Sequence, residues 1–204
     1  MNAVILANGK FPEHLIPLSK LFAAKTLVCC DGAIEHLDNL SITPTVLIGD
    51  LDSVNGRLKA KYQQIILHDP DQYTNDLTKA VKWCVDKKIK TVVIVGATGK
   101  REDHTLGNIG LLVKYANMGV DCEMITDTGV IKPYLKSVRL KSFVGQQVSI
   151  FSSNNSTVIS TKNLMYPIEN RSIPEWWMGT LNESLGDWFE LNFEPGPLVV
   201  YQMF

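Results

Sequence analysis

The amino-acid sequence predicts an α/β domain built on a parallel sheet, followed by a smaller all-β domain. Up to about residue 126, short apolar runs alternate with stretches of helical periodicity, which favours a parallel sheet covered by helices on both faces. After about residue 128 the helical periodicity disappears, and short β-rich runs are separated by turn residues, as in an antiparallel sandwich or a small barrel. We therefore expect two domains, residues 1–127 and residues 128–204.

The first domain is expected to contain six strands and five helices. The strand candidates are short apolar runs at residues 3–7, 26–30, 46–48, 65–67, 91–95 and 122–126. The helix candidates lie between them, at residues 12–24, 33–40, 58–64, 76–88 and 103–117. The fourth helix is the clearest, because its apolar residues recur at the spacing of a single helix face. Those residues are Leu77, Ala80, Val81, Cys84 and Val85.

The second domain is expected to contain five strands. The β-rich runs lie at residues 130–135, 147–151, 157–160, 188–193 and 198–204. A domain of roughly 75 residues is marginal for independent stability. We therefore expect it to pack against the first domain or against a second subunit.

Composition and charge exclude several classes of protein. The 204 residues are 45% hydrophobic and carry a net charge of −1 at pH 7, which leaves no electrostatic footprint for nucleic acid or an anionic membrane. The apolar runs are far shorter than the roughly 20 residues of a membrane span, and the first nine residues do not resemble a signal peptide. The four cysteines form no C-x-x-C pair and the histidines lack zinc spacing. Buried thiols in a reducing cytoplasm are the expectation.

Polar or glycine-rich turns follow five consecutive predicted strands. These turns contain Asn8-Gly9, Asp31-Gly32, Asp50-Leu51-Asp52, residues 71–76 and residues 96–104. In an open parallel sheet, ligands bind beyond the carboxyl ends of the strands. We therefore expect these five turns to surround one binding site.

The acidic residues of these turns indicate a metal site. Asp50 and Asp52 occupy alternate positions of a segment expected to be extended, so their side chains should point the same way. Four carboxylates at one edge, with Asp31 and Asp76, would repel one another strongly unless a cation neutralised them. Oxygen ligands of this kind hold Mg²⁺ against phosphates.

Structural interpretations of the same residues stay open. Asp50 and Asp52 are common turn formers, and Asp76 could simply open a helix that Asn75 caps. Lys79 lies one turn beyond Asp76 and off the apolar stripe, so it could reach a phosphate.

The loop at residues 96–104 has a weaker signal. It lacks the spacing of a P-loop, although its N–H groups and Arg101 would suit an anion. Asp103 and His104 open the next helix, where acidic residues are also favoured by the helix dipole.

Four motifs taken together resemble the thiamin pyrophosphokinase family. They are Asp31-Gly32-Ala33, Gly49-Asp50-Leu51-Asp52-Ser53, residues 71–80 (DQYTNDLTKA) and residues 99–108 (GKREDHTLGN). Their order and spacing agree with the family over nearly the whole chain. The resemblance implies a Rossmann-like nucleotide-binding domain over residues 1–127, followed by a β-sandwich over residues 128–204 that binds thiamin and forms a dimer.

The resemblance also implies an activity and a partner set. The β,γ-pyrophosphoryl group of ATP would be transferred to the thiamin hydroxyl, giving thiamin diphosphate and AMP. Magnesium would be the metal, and a homodimer would carry the active site at its subunit interface. Three alternatives stay open: a pyrophosphokinase acting on another primary alcohol such as a hydroxymethylpterin, a non-catalytic thiamin or nucleotide sensor, and a metal-assisted phosphohydrolase.

Individual residues receive roles from this resemblance. The metal ligands are expected to be Asp50, Asp52 and Asp76, and the catalytic set adds Lys79. The expected nucleotide and phosphate contacts are Asp31, Gln72, Thr74, Asn75, Lys79, Arg101 and Asp103. The expected thiamin contacts are Asp103, His104, Tyr166 and Asn182.

Three positions depart from the family pattern. Tyr73 stands where the family often has a third acid, and Lys100 replaces a frequent glycine. In the segment that leads to Asn182, Leu181 replaces a serine.

Overall fold

A computed structural model describes residues 2–204, which divide into two compact units. One unit comprises the chain up to Leu111 together with Met118–Asp127, and the other comprises Leu112–Asn117 with Thr128–Phe204. The first is an α/β unit built on parallel strands, and the second contains antiparallel sheets. The expected order, a parallel α/β part followed by an antiparallel all-β part, is confirmed.

The first unit carries six parallel strands at the positions that the apolar runs predict. They are β1 (Asn2–Leu6), β2 (Leu27–Cys30), β3 (Val46–Gly49), β4 (Ile66–His68), β5 (Thr91–Val95) and β6 (Asp121–Ile125). Their order is β6-β5-β1-β2-β3-β4, and every pairing among them is parallel. The central strands β2 and β3 are buried along their whole length, because a parallel sheet is covered on both faces.

Five helices connect these strands. They are α1 (Leu15–Phe22), α2 (Ile34–Asn39), α3 (Gly56–Tyr62), α4 (Asp76–Asp86) and α5 (Glu102–Asn117). The predicted stripe of α4 is buried apart from Val85, and Asn75 caps the helix by accepting a 3.0 Å hydrogen bond from the Thr78 N–H. All four cysteines are buried thiols, as predicted.

The second unit is built from two antiparallel sheets. One has the order β11-β9-β13-β7 and the other β10-β12-β8. Their strands are β7 (Gly129–Tyr134), β8 (Val138–Lys141), β9 (Gln147–Ser152), β10 (Val158–Lys162), β11 (Asn182–Glu183), β12 (Trp188–Glu194) and β13 (Leu198–Met203). Both sheets contribute to one hydrophobic cluster, which includes Ile150 and Phe189, each fully buried. Of the two predicted alternatives, the sandwich-like arrangement is the one found.

Two strands of the second unit escape prediction from the sequence. In β8 only Val138 and Leu140 are apolar, and the strand lies at the edge of its sheet. The two-residue strand β11 is also an edge strand. Short edge strands bury little apolar surface, so their pairing depends on a partner strand rather than on a hydrophobic run.

A carboxylate joins α2 to α3 in the first unit. The side chain of Asp38 is only 7% exposed, and it accepts hydrogen bonds from Arg57 at 2.8 Å, Lys61 at 2.5 Å and Tyr62 at 2.9 Å. The bonds from Lys61, then those from Arg57 and Tyr62, hold the pKa of Asp38 well below its ordinary value. A carboxylate with a depressed native pKa stabilises the fold above its unfolded pKa of about 4, and this contribution is lost as the pH falls further.

Replacing Asp38 with asparagine should therefore destabilise the protein in a pH-dependent way. We expect Asp38→Asn to lower Tm by several degrees at pH 7, and by clearly less near pH 3, where wild-type Asp38 has begun to lose its contribution. Thermal unfolding followed by circular dichroism at both pH values measures this. The exposed Asp86→Asn serves as the control and should leave Tm unchanged. An equal loss of Tm at both pH values would contradict the ionic account of Asp38.

Candidate active site

The turns at the carboxyl ends of the parallel strands surround a cavity of about 580 Å³ in the first unit. Each of the five predicted turns contributes to its wall, for example through Asn8, Asp31, Asp50, Asp71 and Thr98. The five turns therefore converge on one cavity, because parallel strands bring their carboxyl ends to one edge, and its role as a binding site stays a prediction.

Three carboxylates meet at this edge. Asp31 follows β2, Asp50 follows β3 and Asp76 opens α4; each offers one carboxylate oxygen, and these oxygens lie within 4.8 Å of one another. Asp31 Oδ1 is buried and has no hydrogen-bond partner among residues 2–204. A buried carboxylate oxygen without a partner is costly, and three neighbouring carboxylates repel one another. The cluster thus has the oxygen donors and the unsatisfied charge that suit a divalent cation such as Mg²⁺.

Asp52 lies beside this cluster rather than in it. Asp52 lines the cavity, and its backbone N–H donates a hydrogen bond to Asp50 Oδ1 at 3.1 Å. The expectation of an extended segment is wrong, because Leu51 has a φ of +66° and a turn follows it. Asp31 occupies the third position of the cluster, and the metal role of Asp52 stays a prediction.

The cluster depends on the absence of a side chain at residue 49. A Cβ atom on Gly49 would lie 3.0 Å from Asp31 Cβ and 3.3 Å from Asp76 Cγ. The backbone around the cluster is strained, since Asp31 has a φ of +40° and Leu51 has a φ of +66°. Non-glycine residues in this region of φ commonly mark functional sites.

A buried lysine holds Asp76 in position. The Lys79 side chain is 3% exposed, and its Nζ donates to Asp76 Oδ1 at 3.1 Å and to the Asp69 carbonyl at 2.9 Å. Burial alone would lower the pKa of Lys79, but the hydrogen bond and charge of Asp76 outweigh it, so the pKa is raised. An ammonium group has three N–H donors, and the third can serve a ligand in the cavity.

The pKa values of Asp76 and Asp50 are shifted in opposite directions. Burial raises the pKa of Asp76, and the like charges of Asp31 and Asp50 add to the rise against the hydrogen bond from Lys79. The Asp52 N–H and then the Gln72 amide lower the pKa of Asp50. Asp50 therefore keeps its charge more readily than Asp76.

The predicted phosphate contacts at residues 72–75 line the cavity, yet their polar atoms also organise the loop. Gln72 donates to Asp50 Oδ2 at 3.1 Å, and Thr74 donates to Asp71 Oδ2 at 2.7 Å. Asn75 caps α4 and donates to Asn108 Oδ1 at 3.1 Å. Their contact with phosphates stays a prediction.

Arg101 and Asp103 form a two-point ion pair at the start of α5. Arg101 Nε lies 3.1 Å from Asp103 Oδ1, and Nη2 lies 2.5 Å from Oδ2. Arg101, above all, lowers the pKa of Asp103. Arg101 and His104 line the cavity, whereas Asp103 is not one of its lining residues and bonds to Arg101. The predicted roles of all three toward ligands stay predictions.

The two predicted thiamin contacts of the second unit lie together. Asn182 is buried, and its side-chain amide bonds to the backbone of Tyr166. Its Nδ2 donates to the Tyr166 carbonyl at 2.7 Å, and its Oδ1 accepts a hydrogen bond from the Tyr166 N–H at 3.1 Å. The Tyr166 side chain is 67% exposed. Asn182 thus positions Tyr166, and contact of either with thiamin stays a prediction.

Asn108 is a cavity residue to which the sequence analysis gives no role. Its Nδ2 donates to the Ala97 carbonyl at 2.9 Å, while its Oδ1 accepts from Asn75. It therefore joins the start of α4 to the loop that carries Arg101. The available signal was its spacing, since His104 and Asn108 lie one helical turn apart on the same face.

Fold and site together define an α/β protein with a candidate metal centre at the carboxyl edge of a parallel sheet. The family model of the thiamin pyrophosphokinase catalytic domain matches residues 19–124. The model of the thiamin pyrophosphokinase substrate-binding domain matches residues 129–201. The chain therefore belongs to the thiamin pyrophosphokinase family, and this membership supports thiamin pyrophosphokinase function.

Individual relatives agree with this membership. The chain is 28% identical over 174 residues to thiamin pyrophosphokinase 1 of Caenorhabditis elegans, an alignment that covers 69% of this chain and 71% of the relative. It is 30% identical over 127 residues to thiamine pyrophosphokinase of Bacillus subtilis, with 59% and 58% covered.

A solved structure shows the same fold. The crystal structure of the Bacillus subtilis thiamine pyrophosphokinase superposes with a TM-score of 0.83 at 20% identity, covering 100% of this chain and 99% of that one.

Filling the space at Gly49 tests the architecture of the carboxylate cluster. We expect Gly49→Ala to lower turnover on the order of 10²-fold, because the new Cβ would displace Asp31 or Asp76. The free energy of unfolding should fall by about 1–3 kcal/mol. Steady-state AMP release and urea unfolding measure the two effects. Gly56→Ala is the matched control, since its Cβ would meet nothing within 4 Å. Wild-type turnover in Gly49→Ala would show that the cluster tolerates displacement.

Proposed function

We propose that this chain transfers the β,γ-pyrophosphoryl group of ATP to the hydroxyl of thiamin at the cavity of the first unit. The observation that carries the proposal is the meeting of Asp31, Asp50 and Asp76 beside Lys79, in a chain of this family. Residues 1–127 would form a Rossmann-like, ATP-binding catalytic domain, and residues 128–204 the thiamin-binding and dimerisation domain.

Magnesium fits the residues at the carboxylate cluster. Asp31, Asp50 and Asp76 would hold the ion, and Asp52 is proposed as a further carboxylate at the same wall. The orphaned Asp31 Oδ1 supports this assignment because a cation would satisfy it. When bound, Mg²⁺ supplies neutralisation of the charge on the phosphate oxygens.

The residues of the chain would then act mainly by positioning. The thiamin hydroxyl oxygen attacks the β-phosphorus, the bond from that phosphorus to the AMP oxygen breaks, and Asp50 or Asp76 accepts the hydroxyl proton. Lys79 keeps Asp76 oriented through their 3.1 Å contact. Gln72, Thr74, Asn75 and Arg101 would hold the phosphates. Such catalysis depends chiefly on orientation and charge.

Thiamin would be held by residues of both domains, in a homodimer with the active site at the subunit interface. The proposed contacts are His104, Asp103, Tyr166 and Asn182. The second unit exposes large apolar side chains, including Tyr166 at 67%, Trp177 at 71% and Leu181 at 67%. Contiguous exposed apolar surface marks binding sites or subunit contacts, and we propose that these side chains contribute to such a surface.

We also propose a cytoplasmic location, supported by the four buried thiols. In the part of the chain that the structure describes, none of the helices has the length and apolar character to cross a membrane.

A substrate panel tests the proposed reaction. With Mg²⁺ and ATP, adding thiamin should release one AMP for each thiamin diphosphate formed. Coupled detection of AMP, with chromatography of the product, measures this. Faster AMP release with a hydroxymethylpterin would favour a pyrophosphokinase of different specificity. Thiamin binding without AMP would indicate a sensor, and ATP hydrolysis without any acceptor a phosphohydrolase.

Neutralising single carboxylates tests the metal assignment. We expect Asp31→Asn to lower turnover on the order of 10²-fold or more and to raise the Mg²⁺ concentration needed for half-maximal rate. Asp52→Asn should show a loss of the same order if Asp52 is also a ligand. The exposed Asp86→Asn is the control for charge removal. Full activity of Asp31→Asn would refute the assigned cluster, whereas full activity of Asp52→Asn would remove only Asp52 from it.

A further inference from the structure

Three long cationic side chains line the cavity, and they differ in their partners. Lys79 is paired with Asp76 at 3.1 Å, and Arg101 is paired with Asp103 at 2.5 Å. Lys100 has no carboxylate partner among residues 2–204. The hydrogen bond of its side chain runs from Nζ to Asn8 Oδ1 at 3.3 Å. Since an amide oxygen carries no formal charge, Lys100 forms no ion pair with the described residues.

We propose that Lys100 is a phosphate-binding residue that contacts the polyphosphate of ATP. This inference rests on the proposed function and deepens it, because it assigns a ligand contact to a position where the family often has glycine. The ligand chemistry is that of a polyphosphate oxygen, which an ammonium group binds as a compact point charge.

The backbone that carries Lys100 is held in place. The loop after β5 is joined to the loop after β1 by two hydrogen bonds, from Gly9 N to the Gly96 carbonyl at 2.6 Å and from Lys10 N to the Thr98 carbonyl at 2.8 Å. A Cβ atom on Gly9 would lie 2.5 Å from the Gly96 carbonyl oxygen, so the two loops approach as closely as glycine allows. A cation on such a support loses less conformational freedom on binding than one on a mobile loop.

Asn8 aims Lys100 at the cavity from a defined position. One end of its amide accepts the Lys100 hydrogen bond. The other end packs against the turn after β2, where a Cβ on Gly32 would lie 2.8 Å from Asn8 Nδ2. Asn8 therefore stands between Lys100 and the turn that carries Asp31.

The charge of the cavity explains why an uncompensated cation is needed. Five aspartates line the cavity, and together they carry more negative charge than Lys79 and one divalent ion offset. A polyphosphate entering such a site would still be repelled unless positive charge faced it from another wall. Lys100 supplies that charge from the loop after β5.

Binding of inorganic tripolyphosphate tests this proposal without requiring turnover. Calorimetry in the presence of Mg²⁺ should show about tenfold weaker binding to Lys100→Gln than to the wild type, the size of effect that one lost charge-assisted contact produces. Lys100→Arg should stay within about threefold, because it keeps the charge. The matched control is Lys20→Gln, an exposed lysine of α1 outside the cavity wall, and its binding should be unchanged.

Two further readouts separate a phosphate contact from a structural role. In steady state, Lys100→Gln should lower kcat/KM for ATP about tenfold while leaving KM for thiamin unchanged. Inhibition by adenosine, which lacks phosphates, should also be unchanged. Because Lys100 is exposed, the Tm of Lys100→Gln should match that of the wild type, so any loss of binding is not a loss of folding.

The possible outcomes distinguish this inference from the proposed function. The proposal is wrong if Lys100→Gln binds tripolyphosphate as tightly as the wild type. It is also wrong if Lys100→Arg loses as much affinity as Lys100→Gln, since Lys100 would then only support Asn8. The same holds if the wild type itself does not bind tripolyphosphate. If tripolyphosphate binding depends on Lys100 but thiamin elicits no AMP from the wild type, the proposed function fails while the phosphate contact stands.

Discussion

Electrostatic repulsion among three carboxylates is the constraint on which the site depends. Asp31, Asp50 and Asp76 bring oxygens within 4.8 Å of one another, an arrangement that is unfavourable without positive charge. Much of the surrounding structure offsets this cost. Lys79 donates to Asp76, the Asp52 N–H donates to Asp50, and Gly49 leaves the space that the side chains occupy. Among residues 2–204 the buried oxygen of Asp31 still has no hydrogen-bond partner, so the cluster keeps negative charge that suits a cation.

The distribution of charge around the cavity follows from the order of the strands. The carboxylates come from the turns after β2 and β3 and from the start of α4. The exposed cations Lys100 and Arg101 come from the loop after β5. Because β1 lies between β5 and β2 in the sheet, its own loop, with Asn8 and Gly9, separates the two groups. In the proposed reaction, a polyphosphate would lie between the carboxylate wall, with its cation, and the cationic wall, and it would have favourable contacts on both sides.

The order of the elements and the location of the site could be predicted from the sequence to a large extent. Five of the six parallel strands are largely buried apolar runs, which the hydrophobic pattern predicts directly, whereas β4 is mostly exposed. The turns at their ends then meet by topology alone. The edge strands β8 and β11 could not be predicted, because they bury little and depend on their neighbours. The prediction of an extended conformation around Asp50 was wrong, since Leu51 adopts a positive φ, which the hydrophobic pattern does not predict.

What the sequence determined by itself was the family, the strand and helix order, and the set of polar residues at one edge of a sheet. Which of those residues touch was decided only by the tertiary structure. Asp31 rather than Asp52 completes the close cluster, and the Asn182 side-chain amide donates a hydrogen bond to the Tyr166 backbone carbonyl. The reason is physical: periodicity reports which face of an element is buried, whereas a contact between distant residues depends on backbone angles and packing at a scale of about 1 Å.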